Sequence, residues 1–422
     1  MQKIWRESIL ASVEAGRPIT REEACEIGRI SDQFLPDLQR AAAQIRDRAF
    51  GKTITFSQNV FVPLTNICRD YCKYCTFRKD PGDPQARIMT PEEVLEVVRR
   101  GKELGCREVL ISLGDKADAF PEVREWLVNR GFRNMFEYLH HICDIVVRKT
   151  GLLPHTNAGV LNRHQLERLK PVNASMGIML ENVSDRLCGP GQVHERAPDK
   201  KPSRRLRMMK EAGELRIPFT TGILIGIGET WQERVDSLFA IKELHDRYGH
   251  IQEIIIQNFR AKPGTPMADS AEPGIRDLIL TVCAARLIFR DSLHIQAPPN
   301  LNAARLRELI RSGIDDWGGI SPLTIDYINP ESPWPHREKL KQATELEGCS
   351  LRQRLPVYPE FITEEFVDTE ILSLIGNYPE TGGAFTKSVG APANSAGIFT
   401  KPDGSVSGTC ADIAAAQGAE AR

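Results

Sequence analysis

Long apolar runs are absent. In 422 residues, 41% of them hydrophobic, the longest apolar stretches fall far short of the roughly 20 residues a membrane span needs, so no membrane partner is expected. No charge of one sign dominates either. The 55 basic and 56 acidic residues leave a formal net charge of −1, which argues against a nucleic-acid or polyanion surface. The local basic cluster at 199–207 reads as a solvated loop and first helical turn. Cysteine is sparse, with ten in the chain, and the chain starts without a charged-then-apolar secretory stretch. A disulfide framework is therefore not expected, and the reading is a soluble cytoplasmic protein whose thiols stay reduced. No internal repeat is visible at a period of roughly 20 to 50 residues.

What is present is concentrated. Cys68, Cys72 and Cys75 lie in the run Asn66-Ile-Cys-Arg-Asp-Tyr-Cys-Lys-Tyr-Cys-Thr-Phe77, a C-x3-C-x2-C spacing that supplies three thiolates to one small site. Zinc takes Cys and His ligands in fours, and here a fourth is missing. The nearest histidine is His140, and a zinc site would have to borrow a distant residue such as Cys106 or Cys143. A cubane iron-sulfur cluster is normally held by four thiolates. Three would leave one iron open to bind something else. The isolated Cys25, Cys106, Cys143, Cys188, Cys283 and Cys349 read as inert core thiols, which argues against a second cluster. A redox sensor or electron carrier would use the same three cysteines.

From about Gly51 onward, short β-branched runs alternate with longer amphipathic segments, the rhythm of a parallel α/β sheet. Strands are expected at 55–63, 108–113, 152–157, 174–180, 219–225, 253–258, 293–297 and, weakly, 313–317. Helices are expected at 91–104, 162–169, 203–212, 231–248, 274–290 and 301–311, the first opened by Thr90, Pro91 and Glu93 as a capping box. Eight strands predict a (βα)8 TIM-type barrel with its active site at the C-terminal strand ends, where the cysteine loop falls. A six-stranded open barrel is the alternative. Residues 1–50 read as an N-terminal helical extension, 51–365 as the barrel, and 366–422 as a C-terminal extension. From about 381 that extension is poor in large apolar residues and is expected to be disordered, with Cys410 an exposed thiol.

With Tyr74 before the third cysteine, the loop resembles the radical S-adenosylmethionine (SAM) enzymes. That resemblance implies a [4Fe-4S] cluster on Cys68, Cys72 and Cys75, with SAM chelating the iron that no cysteine holds. It also implies a 5′-deoxyadenosyl radical and a one-electron reductant such as flavodoxin or ferredoxin. Gly114-Asp115, after the second strand, is similar to the glycine-plus-glutamate motif that holds the SAM amino group, with Asp in place of Glu. The run Gly222-Ile-Leu-Ile-Gly226, continuing to Glu229, is similar to the strand that packs along adenine. Glu181, at the fourth strand end, is placed to meet the ribose hydroxyls. His155, Asn157, Asn258, Gln296 and Asn300 are uncharged donors and acceptors aimed at one mouth, which suits a hydroxylated or amide-rich substrate. Phe61 and Phe77 flank the loop and are expected to exclude water.

Two further stretches, 62–78 and Asp315-Asp-Trp-Gly-Gly-Ile-Ser-Pro with its continuation to Pro335, are similar to the CofG family, subunit 1 of 7,8-didemethyl-8-hydroxy-5-deazariboflavin (FO) synthase. The resemblance implies a lyase that closes the 4-hydroxybenzyl adduct of 5-amino-6-(D-ribitylamino)uracil to FO, releasing ammonia. A separate CofH-type enzyme would supply the adduct. Asp316 and Trp317 are then expected to touch substrate. CofH itself, or a menaquinone-pathway relative, is the neighbouring alternative, joining or rearranging an aromatic substrate.

Overall fold

Eight parallel strands close on themselves. In the computed structural model, which describes residues 8–9 and 11–378, they are β1 (Thr53–Thr65), β2 (Glu108–Leu113), β3 (Leu153–Asn157), β4 (Ser175–Gly177), β5 (Phe219–Ile225), β6 (Ile251–Asn258), β7 (His294–Gln296) and β8 (Asp316–Ile320). The order runs β2 to β8 and then β1, which also pairs β2. The upper half of β1 pairs β2 from Asn59↔Glu108 onward, while Thr55, Ser57 and Gln58 pair β8. Closure removes both sheet edges, so the open six-strand alternative does not hold.

The local signals act as anticipated where they are short-range. Thr90 accepts from the Glu93 amide at 3.3 Å and its own amide donates to the Glu93 carboxylate at 2.7 Å, starting the helix Pro91–Glu103. At the N-terminal side, helices occupy Arg21–Ile27 and Leu35–Phe50. Ile27, Leu38, Ala42 and Ile45 belong to the same apolar core as the barrel helices. Four further helices, Pro121–Val128, Met135–Thr150, Arg337–Leu346 and Thr369–Ile375, go beyond the sequence expectation. The tail expected to be disordered from about 381, and Cys410, lie outside the described residues.

A correction concerns the last strand. It runs Asp316–Ile320 rather than 313–317, so Asp316 opens the strand at the N-terminal end of the barrel instead of following it at the mouth. An unforeseen ninth strand, β9 (Ser350–Arg354), pairs Thr53–Ser57 of β1 in parallel, below the point where β2 begins. It carries Arg354 under the barrel.

A buried ionic cluster also lies at this end. Asp315 accepts from Arg286 Nη2 and His294 Nδ1, and from the Ile295 amide at 2.8 Å, while His294 Nε2 meets Glu360 at 3.0 Å and the ring stacks on Tyr358 at 3.8 Å. Burial opposes a charged imidazole, but Asp315 and Glu360 outweigh it and raise His294 from 6.5 to about 9. A raised folded-state value means the stabilisation is complete below about 6.5 and is lost as pH rises through about 9. Thermal midpoints should accordingly fall between these values, by an amount equivalent to at most about 3 kcal/mol, and His294→Gln should flatten that slope. A variant with the wild-type slope would remove His294 as its source.

Candidate active site

The cysteine loop leaves β1 at Thr65 and is pinned by its own backbone. Tyr71 N donates to Arg196 O at 2.9 Å, Lys73 N to Val193 O at 3.0 Å and Lys79 N to Asn66 O at 2.8 Å. The amides of Asp70 and Asp115 point at Cys68 Sγ, at 3.4 and 3.2 Å. N–H groups aimed at sulfur favour a thiolate or a metal-bound thiolate. Burial acts the other way, pushing the Cys68 thiol up to about 12 and Cys72 upward as well. Cys68 and Cys72 are therefore held as thiols without a metal, and loading them must release protons.

The spread of the three sulfurs discriminates between metals. A tetrahedral zinc with Zn–S near 2.3 Å brings its sulfurs to within about 4 Å of one another. Among the described residues the group of three candidate ligand atoms lying mutually within 4.8 Å is Asp70, Asp115 and Asp199, not the cysteines. The three sulfurs do not form such a group, a spread that suits a multi-iron cluster.

Gly114 has a local reason to be glycine. A Cβ there would lie 2.1 Å from Ile67 O and 2.7 Å from Cys68 Cβ, so the end of β2 touches the loop only because that position is bare. Asp115 follows, buried, with Oδ2 accepting from Val160 N at 3.0 Å and Oδ1 unpartnered. Asp70 is similar: Oδ1 accepts from Asp199 N at 3.1 Å and Oδ2 has no partner. Burial raises both, Asp115 to about 6. Asp199 is the satisfied member, gripped by Arg69 at 2.6 and 2.7 Å and by Arg204 at 2.8 Å. Two unpartnered carboxylate oxygens beside Cys68 suit an ammonium group.

Opposite, Glu181 takes the left-handed conformation at φ +63, uncommon for a non-glycine residue. It is buried, bonded to Lys200 at 2.5 Å with Arg205 at 4.0 Å; burial opposes ionisation, but these cations hold its pKa below the usual value. Tyr74 bonds His194 Nε2 at 2.9 Å and packs against Leu187, Val193 and Leu224. Gly222 and Gly226 have packing reasons as well. A Cβ on Gly222 would lie 2.3 Å from Ile255 O, and one on Gly226, at φ +89, 2.5 Å from Pro273. Glu229 is fully used as a turn acceptor, taking the amides of Gly226 and Ile227, both at 2.8 Å, and Arg234 at 2.7 Å.

Inside the barrel lies a cavity of about 190 Å³ whose wall includes His155, Asn157, Gln296, Asn300 and Trp317. Asn258 and Asp316 are not on that wall. Asn258 turns to Asn302, whose amide donates to it at 2.8 Å. Asp316, expected to touch substrate, is instead clamped by Arg354 at 2.6 and 2.9 Å and bonded by Thr55. Its place at the start of β8 is the reason. Several polar wall residues went unnoticed in the sequence, among them Asn59, Glu108, Glu253 and Arg354. Asn59 closes the polar run Ser57-Gln58-Asn59 of β1, and nothing in that run singles it out as a wall residue.

The segment after β8 lines one side of the cavity. Thr324 Oγ1 accepts from Phe61 N at 3.0 Å, Tyr327 meets the Phe61 ring edge-on at 5.5 Å, and Trp334 donates to Thr324 O at 3.1 Å. Asp326 gathers Asn300, Asn329 and the Ile328 amide, each at 2.9 Å. Lys262 reaches Ile328 O at 2.7 Å.

The Radical SAM superfamily model matches residues 62–241. A 7,8-didemethyl-8-hydroxy-5-deazariboflavin synthase of Methanopyrus kandleri is 48% identical over 331 residues, 78% of this chain and 99% of the relative. An FO synthase of Streptomyces avermitilis is 47% identical over 83% of this chain, which matches 42% of that longer protein. Among solved structures, HydG, a maturase of the [FeFe]-hydrogenase, superposes with a TM-score of 0.66 over 83% of this chain and 76% of its own, at 17% identity, a likeness of fold alone. Barrel, three-cysteine loop and near-full-length identity agree, and the chain belongs to the radical SAM family of 7,8-didemethyl-8-hydroxy-5-deazariboflavin synthases.

Proposed function

We propose that this chain performs the cyclisation half of FO synthesis, as a radical SAM ammonia-lyase (a 4.3.1-type lyase). It would close the 4-hydroxybenzyl adduct of 5-amino-6-(D-ribitylamino)uracil to the tricyclic deazaflavin. The observation that carries the reading is the amide-lined cavity, walled by His155, Asn157, Gln296, Asn300 and Trp317, in a barrel whose cysteine loop follows β1. A polar, hydroxylated ligand satisfies such a wall, and a purely apolar one leaves it unpaired. Cys68, Cys72 and Cys75 would hold the [4Fe-4S] cluster, Asp115 with Asp70 the SAM ammonium, and Glu181 the ribose. When bound, cluster and SAM supply the radical that removes a substrate hydrogen atom, and the protein's part is to position and to exclude water.

A CofH-type enzyme would make the adduct, and a flavodoxin or ferredoxin would deliver the electron. After anaerobic reconstitution with SAM and reductant, fluorescent FO is expected only when the CofH product is present. Direct consumption of tyrosine would favour the CofH reading, and absence of 5′-deoxyadenosine would favour an electron carrier. Asp115→Ala is expected to weaken SAM binding roughly tenfold or more while leaving cluster loading intact. Equal loss of both would mean a folding defect instead.

A further inference from the structure

The cavity wall displays hydrogen-bond acceptors whose orientation is chemically locked. His155 Nδ1 lies 2.7 Å from Ser175 Oγ, and Ser175 donates its single hydroxyl proton to Pro356 O at 2.6 Å. Towards the imidazole the serine can therefore only accept. Nδ1 must carry the ring proton, and Nε2 presents a lone pair. No hydrogen-bond partner for Nε2 occurs among the described residues. Gly177 leaves its edge open, since a Cβ there would lie 3.2 Å from Nε2. Burial and the nearby Arg354 charge lower the His155 pKa to about 3, so the ring is neutral at working pH.

Asn300 is locked by the same logic. Its Nδ2 donates to Asp326 Oδ2 at 2.9 Å and to Ser332 O at 3.2 Å. Both partners are acceptors, so the nitrogen must face them, and Oδ1 is left buried without a partner. Asn59 Oδ1, on a side chain 1% exposed, is a third unpartnered acceptor on the same wall. Trp317 Nε1 is an unpartnered donor there. Asn157, Gln257 and Gln296 add amides that can both donate and accept, so the wall is distinguished by its fixed acceptors and not by a shortage of donors.

We infer that this wall is a donor-reading subsite: His155 Nε2, Asn300 Oδ1 and Asn59 Oδ1 accept hydrogen bonds from the N–H and O–H groups of a ribitylaminopyrimidine. The inference rests on the function proposed above and adds which part of the substrate these residues read. A buried acceptor left unpaired weakens binding, so a ligand bringing several donors is selected over one bringing a lone phenol. Ring N–H, exocyclic N–H and ribityl hydroxyls supply several, and a pyrimidine carbonyl supplies an acceptor for Trp317.

The test is calorimetric titration of cluster-loaded, SAM-bound protein with 5-amino-6-(D-ribitylamino)uracil and with analogues that each lack one donor, through ring N-methylation or deoxygenation of the ribityl chain. Deleting one particular donor is expected to weaken wild-type binding roughly tenfold. His155→Ala should lose a similar factor with the parent ligand and be indifferent to that deletion. Asn300→Ser should show the same pattern towards a different analogue. Ser175→Ala, which frees the imidazole to place its proton on Nε2, should weaken the parent ligand while retaining the cluster's visible absorbance. Uniform loss across all analogues, or no loss, in cluster-loaded His155→Ala and Asn300→Ser overturns the subsite. So does a wild type that makes FO yet binds no pyrimidine. A wild type that neither binds pyrimidine nor forms FO from the adduct overturns the function reading itself.

Discussion

Replacing any one of Cys68, Cys72 and Cys75 with alanine is expected to abolish cluster-dependent SAM cleavage, with no 5′-deoxyadenosine above background. The three thiols are the cysteines of one short loop, and a cluster already one thiolate short of the usual four has none to spare. Substitution by serine should do little better, because the harder oxygen is a poor match for iron in a cluster. Cys188→Ala makes a useful control. Its thiol is half-buried, faces Lys200 O at 3.8 Å, and lies outside the loop; its loss should leave iron content unchanged. The measurement is iron and sulfide content after anaerobic reconstitution, together with 5′-deoxyadenosine release. Full activity in any single loop variant would sink the ligand assignment, and loss of iron in Cys188→Ala would point to a shared folding defect.

The largest effect on stability is expected at the opposite end of the barrel. Arg354 Nε and Nη2 grip Asp316 at 2.6 and 2.9 Å, Nη2 also reaches Glu253 at 2.9 Å, and the guanidinium lies 4.3 Å from the Tyr358 ring centre. Tyr358 completes the set, donating to Glu253 at 3.1 Å. All of these side chains are buried. Methionine at position 354 keeps much of the stem and removes the charge, leaving two carboxylates without their cation. Breaking a buried pair in this way costs about 3 to 5 kcal/mol, seen as a fall in the thermal midpoint. Burial already raises Glu253 to about 8 despite Arg354, so part of the loss should be relieved by protonation. The double variant with Asp316→Asn should recover some stability. A loss under about 1 kcal/mol for Arg354→Met would mean that the cluster is no more than a surface-type pair.

These two sites were unequally legible. The loop could be read directly, because its chemistry lies in eight consecutive positions, Cys68 to Cys75. Glu108–Leu113 and Phe219–Ile225 were read to the residue, since β-branched runs between turn residues have little else to become. The helix Met135–Thr150 was missed. Ten of its sixteen residues are buried, and a helix covered on most sides loses the one-faced periodicity that betrays it. Arg354 was missed for another reason. Along the chain it is one charge among many in a polar run, and only the pairing of Ser350–Arg354 with the first residues of β1 puts it beneath the barrel. Asp316 and Trp317 were read as a strand's exit when they are its entrance, an error of three residues that moved Asp316 from one end of the barrel to the other.

By itself the sequence determined what depends on close spacing: three thiols in one loop, helix caps, and the alternation of strands and helices that makes a parallel barrel. Tertiary structure decided what depends on closure. Asp70 and Asp115 share a site because bare Gly114 lets β2 touch the loop. Asn59, His155, Asn300 and Trp317, from four different parts of the chain, share one wall because the strands that position them close into a single ring. Whether each presents a donor or an acceptor was settled later still, by partners such as Ser175 and Asp326. A side chain's hydrogen-bonding role belongs to its surroundings, and spacing along the chain does not specify them.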